Sequence, residues 1–117
     1  MDTPEISVVV LAYRSASTIQ NFVDSLIDSL EKENLLWEIV LVGNYFSGVE
    51  DQTPEVVKDI AARDSRIKAV VKIKKGMMGW DMKSGLQATT GKSLAVIDGD
   101  GQMPSSDVIR VYQLMKT

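Results

Sequence analysis

Cysteine and histidine are both absent from the 117 residues of this chain. Without cysteine there is no disulfide framework and no thiolate metal site, which fits a reducing compartment. Without histidine there is no imidazole for a Ser-His triad or for the usual zinc sites. Any chemistry must therefore come from carboxylates, amides, hydroxyls, Lys, Arg or a hard metal bound by carboxylates.

The sequence also lacks a strong charge of one sign and a long apolar run. The net charge is -3, and the 13 Lys and Arg are scattered except at positions 72–75, so nothing indicates nucleic-acid binding. No apolar run has the length of a membrane span, and the short acidic N-terminus differs from a secretory signal. We therefore expect one cytoplasmic domain with one core.

Short β-branched runs instead alternate with amphipathic segments. This alternation predicts an α/β fold with right-handed crossovers and a mostly parallel sheet. Ligands in such sheets bind beyond the carboxyl ends of the strands, in the loops that follow them. The predicted strands are 6–12, 37–42, 67–73 and 93–97, and the loops are 13–17, 43–52, 74–79 and 98–104.

Local signals predict where the helices begin and end. Ser17 with Gln20 is typical of a capping box. Thr53 followed by proline is typical of an N-cap with Pro at the first helical position. A helix from about Trp80 is predicted to end at the C-cap glycine Gly91. A last helix is predicted to begin at Ser105 or Ser106.

The run Asp98-Gly99-Asp100 is the sharpest functional signal. Two carboxylates two residues apart at the end of a buried strand repel each other unless a cation or hydrogen bonds neutralise them. Glycine lets the backbone approach a ligand closely. Magnesium takes one or two carboxylates together with substrate phosphates. The alternative is a polar turn in which the carboxylates cap nearby amides.

The other loops carry weaker signals. After the first strand, backbone amides and Arg14 could meet a nucleotide or phosphate, or Arg14 could be a solvated residue at a helix entry. Asn44 carries a donor and an acceptor and could read a base edge, or it could be a left-handed turn residue. Lys74, Lys75 and Lys83 could lie near a diphosphate or on a solvated face.

Four stretches together resemble family 2 glycosyltransferases, in the family's order and spacing over nearly the whole chain. Residues 6–13 and 37–42 resemble the family's first two strands. Residues 84–91 are similar to its G-L-x-x-A-x-G stretch. Residues 96–104 resemble its D-A-D-L-Q-x-P motif, including the Gln and the Pro. The polyprenyl-phosphate glycosyltransferase branch is the most similar.

The resemblance implies a three-layer GT-A, Rossmann-like half-domain with strand order 3-2-1-4. By position, Ala12 and Tyr13 would line the nucleotide pocket. Asp98 would contact ribose or metal, and Asp100 would coordinate a Mg²⁺ or Mn²⁺ that bridges the diphosphate. Lys83 stands where the family often has a basic residue. The nucleotide-sugar site is therefore predicted to comprise Ala12, Tyr13, Arg14, Asn44, Lys83, Asp98 and Gly99, with Asp98 and Asp100 as metal ligands.

The sequence departs from the family's pattern in two ways. Gly43 and Asn44 stand where the family usually has an acidic pair, so Asn44 would replace a carboxylate in base recognition. The acceptor half, with its catalytic base, is not in these residues. Residues 1–117 are therefore interpreted as a donor-binding domain that is a fragment of, or truncated relative to, the family domain. An uncovered sheet edge would favour a homodimer, and the full-length protein would associate with the cytoplasmic face of a membrane.

The predicted function is inverting sugar transfer from a nucleoside diphosphate sugar to an acceptor hydroxyl or lipid-phosphate carrier. One alternative is a non-catalytic interaction module derived from such an enzyme. A phosphatase-like hydrolase using Asp98 and Asp100 is another, although such enzymes carry that motif on the first strand. A dinucleotide-binding oxidoreductase is disfavoured because no G-x-G-x-x-G follows the first strand.

Overall fold

A computed structural model describes residues 3–13, 16–48, 50–73 and 78–99. Strands and helices alternate along these residues, as the sequence predicts. The predicted last helix, from residue 105 or 106, lies outside the described residues. The elements are β1 (Ile6–Leu11), α1 (Ile19–Lys32), β2 (Trp37–Val42), α2 (Thr53–Arg63), β3 (Ile67–Val70), α3 (Met78–Leu86) and β4 (Ser93–Asp98).

The four strands form one parallel sheet in the order β3-β2-β1-β4. The expected order 3-2-1-4 is therefore confirmed. The chain adds β2 and β3 on one side of β1 and then returns across the sheet to place β4 on the other side. The order thus reverses between β1 and β4, where ligands bind in open sheets of this kind.

Helices cover both faces of the sheet, which gives the expected three layers. On one face, apolar residues of α1 and α2 form a single core cluster with alternate residues of β1 such as Val8 and Val10. On the other face, Met82 and Leu86 of α3 pack on the intervening residues, such as Val9. Strands β1 and β2 are buried at every residue, which explains why their sequences are continuous apolar runs.

Several helix boundaries differ from the local predictions. The predicted capping box of Ser17 with Gln20 is wrong, because Thr18 precedes α1 in the N-cap position and the Gln20 side-chain amide donates to Asp24. Thr53 is the first residue of α2 rather than its cap, and its N–H and hydroxyl both donate to the Asp51 carboxylate. Local side-chain hydrogen bonds compete for the backbone groups at helix ends and so shift the boundaries.

A buried carboxylate ties the beginnings of the strands together. Glu38 Oε1 accepts hydrogen bonds from the Ser7 hydroxyl at 2.8 Å and the Thr90 N–H at 2.9 Å. Glu38 Oε2 accepts from the Thr90 hydroxyl at 3.0 Å and lies 2.7 Å from Lys68 Nζ. The Gly91 N–H donates to Ser7 Oγ in the same group, at 2.8 Å. The predicted C-cap at Gly91 is wrong, because α3 already ends at Leu86.

The hydrogen bonds also set the ionisation of Glu38. Burial alone would raise the pKa of this carboxyl. The Lys68 ammonium and the hydrogen bonds from Ser7 and Thr90 outweigh burial and hold the pKa of Glu38 below its ordinary value. Glu38 is therefore charged in the folded domain at neutral pH.

The outer strands β3 and β4 each pair with one neighbour in the described part of the chain. Leu94 on β4 is 47% exposed, so apolar surface is open on that side. A homodimer through such an edge stays a prediction. None of the described helices is long and apolar enough to cross a membrane, and membrane association of the full-length protein likewise stays a prediction.

Candidate functional site

The ends of β1 and β4 lie side by side. Leu11, the last residue of β1, is in register with Asp98, the last residue of β4. The segment Ala12-Tyr13 therefore lies beside Asp98-Gly99, in agreement with the strand order that the family resemblance implies. Ala12 is buried and donates its N–H to the Val42 carbonyl at 2.8 Å, so the end of β2 adjoins the same place.

An aromatic pair joins the segments after β1 and β2. The Tyr13 ring is 43% exposed and meets the Phe46 ring edge-on, with the centroids 6.0 Å apart. Edge-to-face contacts of this kind are favourable for aromatic rings. The Tyr13 side chain thus lies at an open surface between these two segments, at the edge where the nucleotide is expected.

Asp98 is the acidic group that the structure places at this edge. Its side chain is half-buried at the end of β4. Arg14 and Asp100 lie outside the described residues. No group of three or more acidic residues that could enclose a metal is found among residues 3–13, 16–48, 50–73 and 78–99.

Gly99 is buried against β1 and α1. Its N–H donates to the Leu11 carbonyl at 2.9 Å. A Cβ at this position would lie 2.8 Å from Val10 Cγ1 and 2.9 Å from Ile19 Cδ1. The glycine is thus required by packing within the domain, which differs from the predicted reason, close approach to a ligand.

Asn44 is fully engaged within the protein. It is 2% exposed, and its Nδ2 donates to Asp81 Oδ1 at 2.9 Å and to Ser84 Oγ at 3.2 Å. Its Oδ1 accepts the backbone N–H of Lys72 at 2.8 Å. Asn44 is not in the left-handed region, and both amide hydrogens are used here. This arrangement favours a role in holding the site together over reading a base edge, which stays a prediction.

Lys83 lies on the β3 side of the site. It is exposed on α3 and lines, with Lys72, Ser84 and Gln87, a shallow depression of about 200 Å³. Strands β2 and β1 separate β3 from β4, which puts the ends of β3 and β4 about 14 Å apart at the usual strand spacing. The structure therefore brings Ala12, Tyr13, Asp98 and Gly99 together and places Lys83 and Asn44 further along the same sheet.

The sequence profile of glycosyl transferase family 2 matches residues 7–117, which is nearly the whole chain. The chain belongs to glycosyl transferase family 2. The four stretches at residues 6–13, 37–42, 84–91 and 96–104 all fall within this match or at its boundary. The expected family is thereby confirmed.

Several named proteins are similar to most of this chain. The uncharacterized glycosyltransferase EpsJ of Bacillus subtilis is 30% identical over 104 residues, which are 88% of this chain and 28% of that protein. Glycosyltransferase AglD of Haloferax volcanii is 31% identical over 98 residues, 82% of this chain and 15% of that protein. The succinoglycan biosynthesis protein ExoO of Rhizobium meliloti is 31% identical over 97 residues. The chain thus spans less than a third of the length of these relatives.

A solved structure shows the same fold. The mannosyltransferase PcManGT from Pyrobaculum calidifontis, in complex with GDP-Man and Mn²⁺, matches 93% of this chain and 31% of its own chain with a TM-score of 0.69. Sequence identity is 22%, so the match concerns the fold alone. It supports the GT-A, Rossmann-like fold expected of glycosyl transferase family 2.

Sequence reasoning did not single out Asp81 and Ser84. Asp81 is 7% exposed and Ser84 is 6% exposed, although both are polar and lie on a surface helix. The Ser84 hydroxyl donates to the Asp81 carbonyl at 2.9 Å and accepts from Asn44. The sequence offers one signal for burial of Asp81, which is that the residues on either side of it are apolar. That signal is weak as long as the hydrogen-bond partner of Asp81 is unknown.

Proposed function

We propose that this domain binds a nucleoside diphosphate sugar and a divalent metal ion at the carboxyl edge of its sheet. In the full-length protein, the sugar would be transferred with inversion to an acceptor hydroxyl or a lipid-phosphate carrier. The observation that carries the proposal is the register of Leu11 with Asp98. This register puts the residues directly after β1 beside the end of β4, at the point where the strand order reverses. In a member of glycosyl transferase family 2, that placement supports a ligand site here.

The residues at this edge fit a hard divalent metal. Asp98 offers carboxylate oxygen at the end of a strand, and Asp100 follows two residues later in the sequence. Magnesium and manganese prefer oxygen ligands and commonly take only one or two carboxylates when substrate phosphates complete the coordination. When bound, such a metal neutralises charge on the departing diphosphate.

The remaining groups would bind and orient the nucleotide. Ala12 and Tyr13 would line the nucleotide pocket beside Asp98, and the exposed Tyr13 side chain could contact the nucleoside. Arg14, next in sequence, would supply positive charge for the phosphates, as would Lys83 from the β3 side. A nucleotide held in this way would present its anomeric carbon to an incoming acceptor. The acceptor base is not assigned to any residue of the chain.

Thermal unfolding with nucleotide and metal tests the donor site. We expect UDP, GDP or one of their sugar conjugates to raise the Tm of the domain only when Mn²⁺ or Mg²⁺ is present. A ligand at ~100 times its Kd stabilises the folded state by about 2.7 kcal/mol, which corresponds to several degrees for a domain of this size. GDP and Mn²⁺ are included because the similar mannosyltransferase was solved with GDP-Man and Mn²⁺.

Two variants make this experiment specific. Asp100→Ala should abolish the metal-dependent shift, and in the full-length protein it should abolish sugar transfer. Asp28→Ala removes an exposed carboxylate in the last two turns of α1 that pairs with Lys32 and is not part of the proposed site, and it should leave the shift unchanged. If no nucleotide stabilises the folded domain, with or without metal, the donor site is wrong and the chain is better explained as an interaction module.

A further inference from the structure

The structure points to Asp81 as a positioning residue, and this inference rests on the proposed nucleotide site. We propose that Asp81 holds the Asn44 side chain in one orientation and thereby fixes, for nucleotide binding, the segments that follow β2 and β3. Asp81 lies in the first turn of α3, and its carboxylate accepts the Asn44 amide at 2.9 Å.

Asn44 links the segments that follow β2 and β3 to α3. Asn44 follows β2, its Oδ1 accepts the N–H of Lys72 after β3, and its Nδ2 donates to α3. One side chain therefore joins three segments that are distant in sequence. Next to it, the Tyr45 N–H donates to the Lys72 carbonyl at 3.0 Å, so the two segments remain paired beyond the ends of their strands.

The acceptor oxygen of Asp81 favours one orientation of the Asn44 side chain. An asparagine amide can rotate to exchange its oxygen and nitrogen, and the partners determine which orientation is favoured. A carboxylate accepts hydrogen bonds and cannot donate them. Asp81 therefore requires the Asn44 nitrogen on the α3 side, which leaves the oxygen facing the Lys72 N–H. Hydrogen bonds to a charged group are about twice as strong as neutral ones.

The same contact explains why an acid would not serve at position 44. Aspartate there would place a second carboxylate at hydrogen-bond distance from Asp81, with both groups more than nine-tenths buried. Like charges this close in a buried site are strongly unfavourable unless one of them takes up a proton. Asparagine at 44 and aspartate at 81 thus form a matched pair. Exchanging the two residues should preserve the amide-to-carboxylate bond, with its direction reversed.

The first measurement is amide hydrogen exchange by NMR on the isotopically labelled chain. Asp81→Ala is expected to increase exchange at the Lys72 N–H at least tenfold, since that bond depends on the orientation of Asn44. Asp81→Asn, whose carbonyl can still accept the Asn44 amide, should restore most of the protection. Asn44→Asp should behave like Asp81→Ala, and the exchanged pair N44D/D81N should recover.

The second measurement is the Kd of the nucleotide that stabilises the unmodified chain, titrated with Mn²⁺ on the same variants. Affinity should fall at least tenfold in Asp81→Ala and Asn44→Asp and recover in Asp81→Asn and in N44D/D81N. The matched control is Asp24→Asn, which alters the amide-to-carboxylate bond from Gln20 on the surface of α1, also 2.9 Å long. The control should change neither Lys72 exchange nor the Kd. Urea unfolding identifies any variant that is not folded.

The outcomes are distinguishable. Faster exchange at Lys72 with an unchanged Kd would make Asp81 structural only and overturn the proposal. Unchanged exchange together with an unchanged Kd would overturn it as well, because Asn44 would not depend on Asp81. If the unmodified chain binds no nucleotide, the proposed donor site itself fails, and Asp81 then has no site to position.

Discussion

At Gly99 the chain passes between β1 and α1 with no space for a side chain. The N–H of this residue is held by the Leu11 carbonyl, so the backbone cannot easily move away. The residue follows Asp98 directly, so its packing holds the end of β4 close to the end of β1.

We expect Gly99→Ala to lower the free energy of unfolding by about 1–3 kcal/mol, as added methyl groups do in close-packed sites. The cause is the contact of 2.9 Å that the new Cβ would make with Ile19 Cδ1 and the one of 2.8 Å with Val10 Cγ1. Urea unfolding measures the change. Ile19→Val removes Cδ1, so the double variant should lose less than the sum of the two single losses. Strict additivity would show that the Ile19 contact is not the cause.

Single residues of the site differ in how far the sequence predicts them. Asp98 was predictable because it ends an apolar run, and its neighbours followed from the strand order that the family resemblance implies. The partners of Asn44 were not, since Asp81 and Ser84 are 37 and 40 residues away in sequence. A polar residue in a loop can equally face a ligand or another loop, and only the tertiary arrangement distinguishes these cases.

At the level of elements, α3 approaches the sheet through a glycine. Gly85 lies over β1 and β2, where a Cβ would be 2.5 Å from Val9 Cγ1 and 2.8 Å from Val42 Cγ2. Those branched residues belong to the smaller core cluster, with Met82 and Leu86 of α3 packed against it. The glycine in the family's G-L-x-x-A-x-G stretch is therefore explained by the close packing of helix on sheet.

Gly85→Ala should destabilise the domain, although alanine ordinarily stabilises a helix by up to about 1 kcal/mol relative to glycine. The clash with Val9 should exceed that gain and move α3 away from the sheet. Thermal unfolding should show a lower Tm. As a control, Lys83→Ala changes an exposed position of the same helix and should leave the Tm nearly unchanged. A Tm for Gly85→Ala at or above that of the unmodified chain would show that α3 shifts without cost.

The sequence predicts elements better than it predicts their ends. Strand β2 has the predicted bounds because its apolar run is buried on both faces. Strand β3 is shorter than predicted, ending at Val70, with only an isolated bridge between Tyr45 and Ile73 beyond it. At Gly91 a tertiary hydrogen bond to Ser7 replaced the predicted helix cap. The local signals predicted the wrong boundary where a backbone N–H forms a hydrogen bond to a residue distant in sequence.

In the whole molecule, different groups of polar residues lie at the carboxyl ends and at the beginnings of the strands. The carboxyl ends of the strands carry Asp98 and the Asn44 contacts. Near the opposite ends, Glu38 joins β1, β3 and the segment before β4 through Ser7, Lys68 and Thr90. This second group includes no residue of the proposed site, so its effect should appear in stability rather than in nucleotide recognition.

The pH dependence of stability tests that assignment. The pKa of Glu38 in the folded domain lies below its ordinary value of 4.5, so its contribution is present above that pH and is lost as the pH falls through the folded pKa. Glu38→Gln should lower the free energy of unfolding by about 1–3 kcal/mol at neutral pH, because a buried charge-assisted network is broken. The deficit should shrink as the solution is acidified. Urea unfolding between about pH 7 and pH 3 measures both effects.

Part of the pH dependence should survive in Glu38→Gln. The hydrogen bond from Arg66 outweighs the burial that would raise the pKa of Asp64, and holds that pKa below its ordinary value too. Asp28→Asn, by contrast, changes an ion pair with Lys32 whose partners are 65% and 74% exposed, and exposed pairs of this kind contribute little. It should track the unmodified chain at every pH. If Glu38→Gln lowered the free energy of unfolding by the same amount at every pH, the charge of Glu38 would not be what holds the beginnings of the strands together. The packing of its side chain would then be the cause.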